Sequence, residues 1–422
     1  MKQIKLFFLL TTMSILTTDI SAQTPPGQPS YGSGGNNYIH ASYDSTFYGN
    51  DITDMYWLFE PQAPQPDSAP VVVVWHGMTM MMDSTQVINM HLSLVKHLAR
   101  KGYNVIYPLY QYGGNTLSPY SYQRDVCAAI VDSALARLDD GTHVHPKRDS
   151  NGEMLLATTG YSKGGAMSIT MASSYWMYGL PKFRAVADFV SFDANANTDS
   201  IPSDTKLLVV LGDNDANIES FIAVDTVISR FYDLTHIPCQ NRHLLMVNSD
   251  STGSPPLTAD HHFYVANPNN PSSVNALDFF GSWKLVTSLL DCAFFSTNCE
   301  YCLSDSDSIA FMGKWSNSVP VAPITIMDTC SSVGINNYMS KYLTLKIYPN
   351  PANQNATLEF DNSGQENHTL TLYDTQGRLV KTLTNITADQ ITIDTDDLTS
   401  GLYFFQLSTG GQVRFKGKLT IE

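Results

Sequence analysis

From about residue 38 to residue 304, short runs of apolar and β-branched residues alternate with longer stretches in which apolar positions recur every three or four residues. The short runs have the length of strands and the long ones that of helices. Their alternation predicts an α/β domain, a mostly parallel sheet with helices on both faces. The strands fall at 71–75, 104–107, 154–158, 186–192, 207–211 and 243–247, and the helices at 86–101, 125–138, 166–178, 219–234 and 273–294. In the first helix Val87, Met90, Leu94 and Leu98 share one face, and Gly102 follows as the stop.

The pattern changes at both ends. Residues 1–22 combine Lys2 and Lys5 with an apolar run over 6–16 and the small pair Ser21 and Ala22, the layout of a secretory signal. That run is too short to span a bilayer, and no later stretch approaches the required length. No cysteine follows the cleavage site, so a lipid anchor there is not indicated. Residues 23–37, rich in Gly, Pro, Ser and Asn, read as a flexible lead-in. Residues 305–341 have no clear period and read as an extension of the large domain followed by a linker. Over 342–422 about seven short alternating runs, separated by turn residues and without a helix, describe a small all-β sandwich.

Composition removes whole classes of function. With 43% hydrophobic and 15% charged residues the chain has ample apolar surface to bury, which excludes disorder. A net charge of −15 argues against binding nucleic acid. The six cysteines (Cys127, Cys239, Cys292, Cys299, Cys302 and Cys330) are an even count in an exported chain and favour disulfides. Cys299 and Cys302 form a C-x-x-C, but no second pair or suitably spaced histidine follows, so bridges are expected rather than a metal. Spacing leaves their pairing open. Cys127 lies among helical apolar residues and is expected to be buried.

Gly160-Tyr161-Ser162-Lys163-Gly164 is a G-x-S-x-G between a strand and a helix. In that context the serine sits on a sharp turn with its hydroxyl projecting, and small neighbours let strand and helix approach. A serine hydroxyl needs an imidazole to take its proton, and the imidazole needs a carboxylate to orient it. Asp213 and Asp215 follow the strand at 207–211, and His261 and His262 lie in the loop after the strand at 243–247. The oxyanion donors are expected to be the backbone N–H groups of Lys163 and of Met78, the latter following His76-Gly77 after the first strand. His76 is expected to brace that loop; its other reading is the base itself. His143 and His145 read as loop residues.

With these residues in order, the span from about Tyr56 to Phe295 resembles an α/β-hydrolase of the esterase and lipase type. The resemblance implies chain order Ser, Asp, His. In the family the acid usually stands three residues after a glycine, which favours Asp215 over Asp213. A Leu-x-Ala-Asp-His run at 257–261 favours His261, whereas members with His directly before Phe favour His262. Many members insert a helical cap, for which the 194–206 segment leaves no room, so an open site is expected. Tyr110, Tyr112, Tyr120 and Tyr122, with Met78, Met80, Met81 and Met82, crowd the flanking loops; His76, Gly77, Tyr110 and Tyr112 are the expected pocket residues. Such a lining suits an ester with an apolar acyl or aryl group. No metal or organic cofactor is required. The same groups could cleave peptides or thioesters, and a non-catalytic surface protein on a hydrolase scaffold is the competing class. The chain has no room for the large propeller of prolyl-peptidase relatives, which ranks ester hydrolysis above peptide hydrolysis.

The last segment carries Tyr348-Pro349-Asn350-Pro351-Ala352, a turn at 374–377, Leu398-Thr399-Ser400-Gly401-Leu402-Tyr403, and the basic Lys416 and Lys418. Together these resemble the C-terminal sorting domain of the type IX secretion system. The resemblance implies engagement of that machinery, passage across the outer membrane, and release or attachment at the cell surface, usually with cleavage of the domain. The strand pattern alone describes only a small β-sandwich, for which a carbohydrate-binding or adhesive module is the competing reading.

Overall fold

The computed structural model describes residues 23–79, 81–118, 120–191, 197–215, 224–270, 272–328, 346–360, 362, 365–410 and 412–422. Among them nine strands form one sheet: β1 (Ser42–Tyr48), β2 (Tyr56–Gln62), β3 (Val71–Trp75), β4 (Asn104–Pro108), β5 (Leu156–Tyr161), β6 (Phe183–Phe189), β7 (Lys206–Gly212), β8 (Arg242–Val247) and β9 (Thr325–Ile326). They lie in the order β1-β2-β4-β3-β5-β6-β7-β8-β9. The six strands from β4 to β8 run parallel, and β1, β2 and β9 add antiparallel edges. Every residue of β3, β4 and β5 is buried, which requires cover on both faces of the sheet. This is a mostly parallel α/β sheet covered by helices on both faces.

Among the described residues five helices provide that cover: α1 (Ser84–Lys101), α2 (Tyr120–Leu138), α3 (Lys163–Ser174), α4 (Val224–Asp233) and α5 (Trp283–Phe295). α1 starts two residues before its apolar period because Asp83 and Gln86 cap it reciprocally, and it ends at Gly102, where φ is 105°. The parallel order places β3, β5, β7 and β8 with their C-terminal ends on one edge, where α/β sheets form sites.

One expectation needs correction. Residues 23–37 are not a loose lead-in. His97 Nε2 donates to the Ser33 carbonyl at 2.9 Å, Lys101 Nζ donates to the Gly32 carbonyl at 2.9 Å, and a Cβ at Gly34 would fall 1.8 Å from the Phe279 carbonyl oxygen. The small residues fold the chain tightly against α1 and the segment before α5, where bulkier ones could not fit. Residues 305–328 belong to the large domain: Ile309, Met312, Trp315, Val321, Ile324 and Met327 join its core, and Lys284 Nζ donates to the carbonyls of Ile309 (2.7 Å) and Phe311 (2.8 Å). The expected leader, Met80, Cys330 and the end of the linker lie outside the described residues.

Cys292 is bridged to Cys299, so the C-x-x-C is not a pair. Cys239 is also in a disulfide, and Cys127 and Cys302 are free and buried.

The C-terminal strands are β10 (Lys346–Tyr348), β11 (Asn355–Glu359), β12 (His368–Tyr373), β13 (Leu379–Ile386), β14 (Gln390–Asp394), β15 (Gly401–Thr409) and β16 (Gln412–Ile421). They form a three-stranded sheet, β10-β11-β14, and a four-stranded one, β13-β12-β15-β16, all antiparallel. Leu358, Phe360, Leu370, Leu372, Phe405, Leu407 and Leu419 make a separate core, built from the inward positions of alternating strands.

Candidate active site

Ser162 stands between β5 and α3 with φ 54° and ψ −126°, a backbone conformation an L-residue adopts only when its surroundings enforce it. The enforcement is steric and hydrogen-bonded. A Cβ at Gly160 would lie 2.4 Å from the Gly164 carbonyl oxygen, and one at Gly164 would lie 2.3 Å from that of Trp75. Ser162 N–H donates to the Phe189 carbonyl at 2.9 Å. A buried chain of hydroxyls ties three elements together. Trp75 Nε1 donates to Thr158 Oγ1 (2.7 Å), which donates to Ser168 Oγ (3.3 Å), which donates to the Gly164 carbonyl (3.1 Å). Asp188, at the end of β6, presses on the same turn: a Cβ at Gly165 would fall 2.1 Å from its Oδ1. Burial raises the Asp188 carboxyl to about 7.

His261 Nε2 lies 2.9 Å from Ser162 Oγ, and His261 Nδ1 lies 2.8 Å from Asp215 Oδ2. Asp215 follows β7, is buried, and accepts a hydrogen bond from His261 Nδ1–H, which leaves Nε2 with its lone pair toward the serine hydroxyl. The histidine loop is fixed behind this contact. Tyr264 OH bonds Thr159 Oγ1 at 3.1 Å, and the Tyr264 ring stacks on Tyr161 with centroids 6.1 Å apart. His262 makes no ring hydrogen bond to Ser162 or Asp215 among the described residues; its ring stands edge-on to that of His261, 5.6 Å away. Burial, then the neighbouring His261, lowers its pKa.

Asp213 does not meet either imidazole. Its Oδ1 accepts from the backbone N–H and the hydroxyl of Ser249, at 3.0 and 2.6 Å. Nothing in the sequence singles out Ser249 from Ser251 and Ser254 in the same turn-rich stretch.

His76 is fully buried behind the loop that follows β3. Tyr110 N–H donates to its Nε2 at 3.3 Å, so the proton sits on Nδ1 and points to the Gly77 carbonyl at 2.8 Å. The Tyr110 ring stacks on it at 4.1 Å, and Tyr110 OH donates to the His76 carbonyl. Burial, partly opposed by the Gly77 bond, lowers the His76 pKa to about 3. It therefore stays neutral and braces the loop.

The expected pocket residues divide accordingly. His76 and Tyr110 are fully buried and Gly77 packs against the Tyr161 ring, so none of the three lines an open wall. Tyr112 is half-buried, with its hydroxyl on Met55 Sδ at 3.4 Å. Exposed apolar surface on this side comes from Met78 (52% exposed) and Met81 (94%). Lys163 opens α3, and burial lowers its pKa. His143 is a structural residue, with Nδ1 2.8 Å from the buried Glu60 carboxylate.

A family model described as a secretion system C-terminal sorting domain matches residues 346–422. No curated protein matches the chain. Among solved structures the chain is similar to esterase B from Lactobacillus rhamnosis, inhibited with a C4-C4 SN3 tributyrin phosphonate. That similarity has 16% identity and a TM-score of 0.40, and covers 62% of this chain and 91% of that one. No helix among the described residues is long and apolar enough to cross a membrane. Residues 346–422 are a sorting domain of the type IX secretion system, and the protein is one that this route carries to the cell surface or the medium.

Proposed function

We propose that the protein is a secreted serine hydrolase that cleaves carboxylic esters through an acyl-enzyme on Ser162. The observation that carries this reading is the continuous hydrogen-bonded line from Asp215 through His261 to Ser162 Oγ, with both links under 3.0 Å. His261 Nε2 takes the serine proton as Oγ attacks the ester carbonyl, and Asp215 holds the ring and stabilises the imidazolium that forms. The backbone N–H groups of Met78 and Lys163 are assigned to the oxyanion. Collapse of the tetrahedral intermediate expels the alcohol, which receives the proton from His261. Water then attacks the acyl-enzyme with His261 again as base and releases the acid.

The assignment of His261 over His262, and of Asp215 over Asp213, rests on the same distances. Exposed Met78 and Met81 in the loop after β3 support an apolar acyl or aryl group on the substrate.

The test is a side-by-side assay of a short-chain aryl ester, a long-chain aryl ester, a polyester and an acyl-peptide with the wild type, Ser162→Ala and His261→Ala. Ester turnover lost by at least 10³-fold in both variants supports the proposal. Turnover of the acyl-peptide alone replaces ester by amide hydrolysis, and turnover of none by the wild type refutes the catalytic reading.

A further inference from the structure

We infer that Asp213 and Ser249 form a positioning clamp that sets the distance between the acid loop and the histidine loop; this rests on the catalytic reading of Ser162, His261 and Asp215. Asp213 was one of two candidates for the acid, and the structure gives it different work. One carboxylate oxygen accepts both donors of Ser249, the N–H at 3.0 Å and the hydroxyl at 2.6 Å. With its own proton directed at Asp213, Ser249 Oγ accepts from the Ala259 N–H at 2.9 Å. Ala259 is also held at its other end, where its carbonyl accepts from the Asn214 N–H at 3.1 Å. The N–H of the fully buried Ala259, through Ser249, and its carbonyl, directly, are thereby fastened to residues 213 and 214, two and one positions before Asp215. Two positions further along, the same loop presents His261.

The close approach is built into the backbone. A Cβ at Gly212 would fall 2.2 Å from the Ala259 carbonyl oxygen, so the acid strand and the histidine loop meet without an intervening side chain. Paired bonds between Asp250 and Leu257 (2.7 and 2.9 Å) close the base of the histidine loop. Asp213 touches neither Ser162 nor His261, and its influence passes through Ser249 and Ala259. A displacement of about 1 Å between catalytic groups costs on the order of 10²-fold in rate, so a clamp at this place acts on kcat rather than on substrate binding.

What matters in Asp213 is an oxygen that accepts two hydrogen bonds, and an asparagine amide oxygen can do the same. The test compares Asp213→Ala, Asp213→Asn and Ser249→Ala in the full-length protein, with thermal melting as the check on folding. Two readouts are used. With an aryl butyrate, Asp213→Ala and Ser249→Ala are expected to lower kcat by roughly 10- to 100-fold with KM within about twofold, and Asp213→Asn to restore most of it. The second readout is the low-field proton resonance of His261 Nδ1–H, identified by its loss in His261→Ala. It is expected to be shifted or broadened in Asp213→Ala and preserved in Asp213→Asn. This signal reports the His261–Asp215 hydrogen bond whether or not an ester is turned over, so a failure of the hydrolase reading is distinguishable from a failure of the clamp. An unchanged resonance in both Asp213→Ala and Ser249→Ala, or equal impairment of the Asn and Ala variants, overturns the inference.

Discussion

Asp188 lies against Gly165 with Oδ1 buried, and its carboxyl titrates near pH 7 instead of near 3.8 because burial penalises its charge more than the Ser191 bond favours it. The folded pKa is raised, so Asp188 contributes stability that is complete below about pH 4 and is lost as the pH climbs through 7. Asp188→Asn removes that dependence. Urea unfolding at pH 5 and pH 8 is expected to show the wild type losing about 2 to 4 kcal/mol more than the variant over this interval. Equal losses would contradict it. His76 works in the opposite direction: its pKa of about 3 means that stability is lost as the pH falls from 6.5 toward 3, and it cancels when variant and wild type are compared at each pH.

At the scale of elements, the β5–α3 turn depends on Gly160 and Gly164, where an added methyl would meet backbone atoms. Gly164→Ala sets a Cβ 2.3 Å from one carbonyl oxygen and 2.6 Å from the next, both backbone atoms that cannot swing away. A destabilisation of about 2 to 4 kcal/mol and an ester hydrolysis rate reduced by at least 100-fold are expected, read from denaturant unfolding and kcat. A variant as stable and active as the wild type would show that the turn is looser than its geometry. At α5, the Cys292–Cys299 bridge closes a short loop. The double Cys292→Ser and Cys299→Ser variant is expected to lose about 2 kcal/mol while its KM stays within about twofold, because neither residue is near Ser162 in the fold.

The elements differ in how far the chain announces them. β3 and β7 are uninterrupted apolar runs and are legible at once, as is α1. β1 is not: in Ser42–Tyr48 serine, aspartate and threonine outnumber the aromatics, because an edge strand buries little of either face. β5 and β6 end elsewhere than their apolar patterns suggest. β5 runs on through Gly160 and Tyr161 because parallel pairing with β3 and β6 continues to those residues. The motif residues around Ser162 were legible because close packing restricts them to glycine. The residues alone offered Asp215 and His261 only as members of pairs, since a loop does not announce which neighbour turns inward; the family resemblance selected Asp215 and leaned to His261. Ser249 and the burial of Tyr110 were invisible, being set by contacts between segments more than thirty residues apart.

On the scale of the whole molecule, two separate cores divide the labour: one frames the site and the other lies within the sorting domain. Removing residues 346–422 is expected to abolish surface display and release in a host with the secretion system, read by immunoblot of cell, envelope and medium fractions. Undiminished appearance in the medium would contradict the sorting role.

The central claim is that Ser162 is made nucleophilic by His261 and Asp215. The most direct measurement is reaction with a fluorophosphonate, followed by mass spectrometry of the modified peptide. Stoichiometric modification of the wild type on Ser162 is predicted, with none in Ser162→Ala and labelling slowed by at least 100-fold in His261→Ala. Modification at another residue, or labelling of the His261→Ala variant at the wild-type rate, would contradict the account.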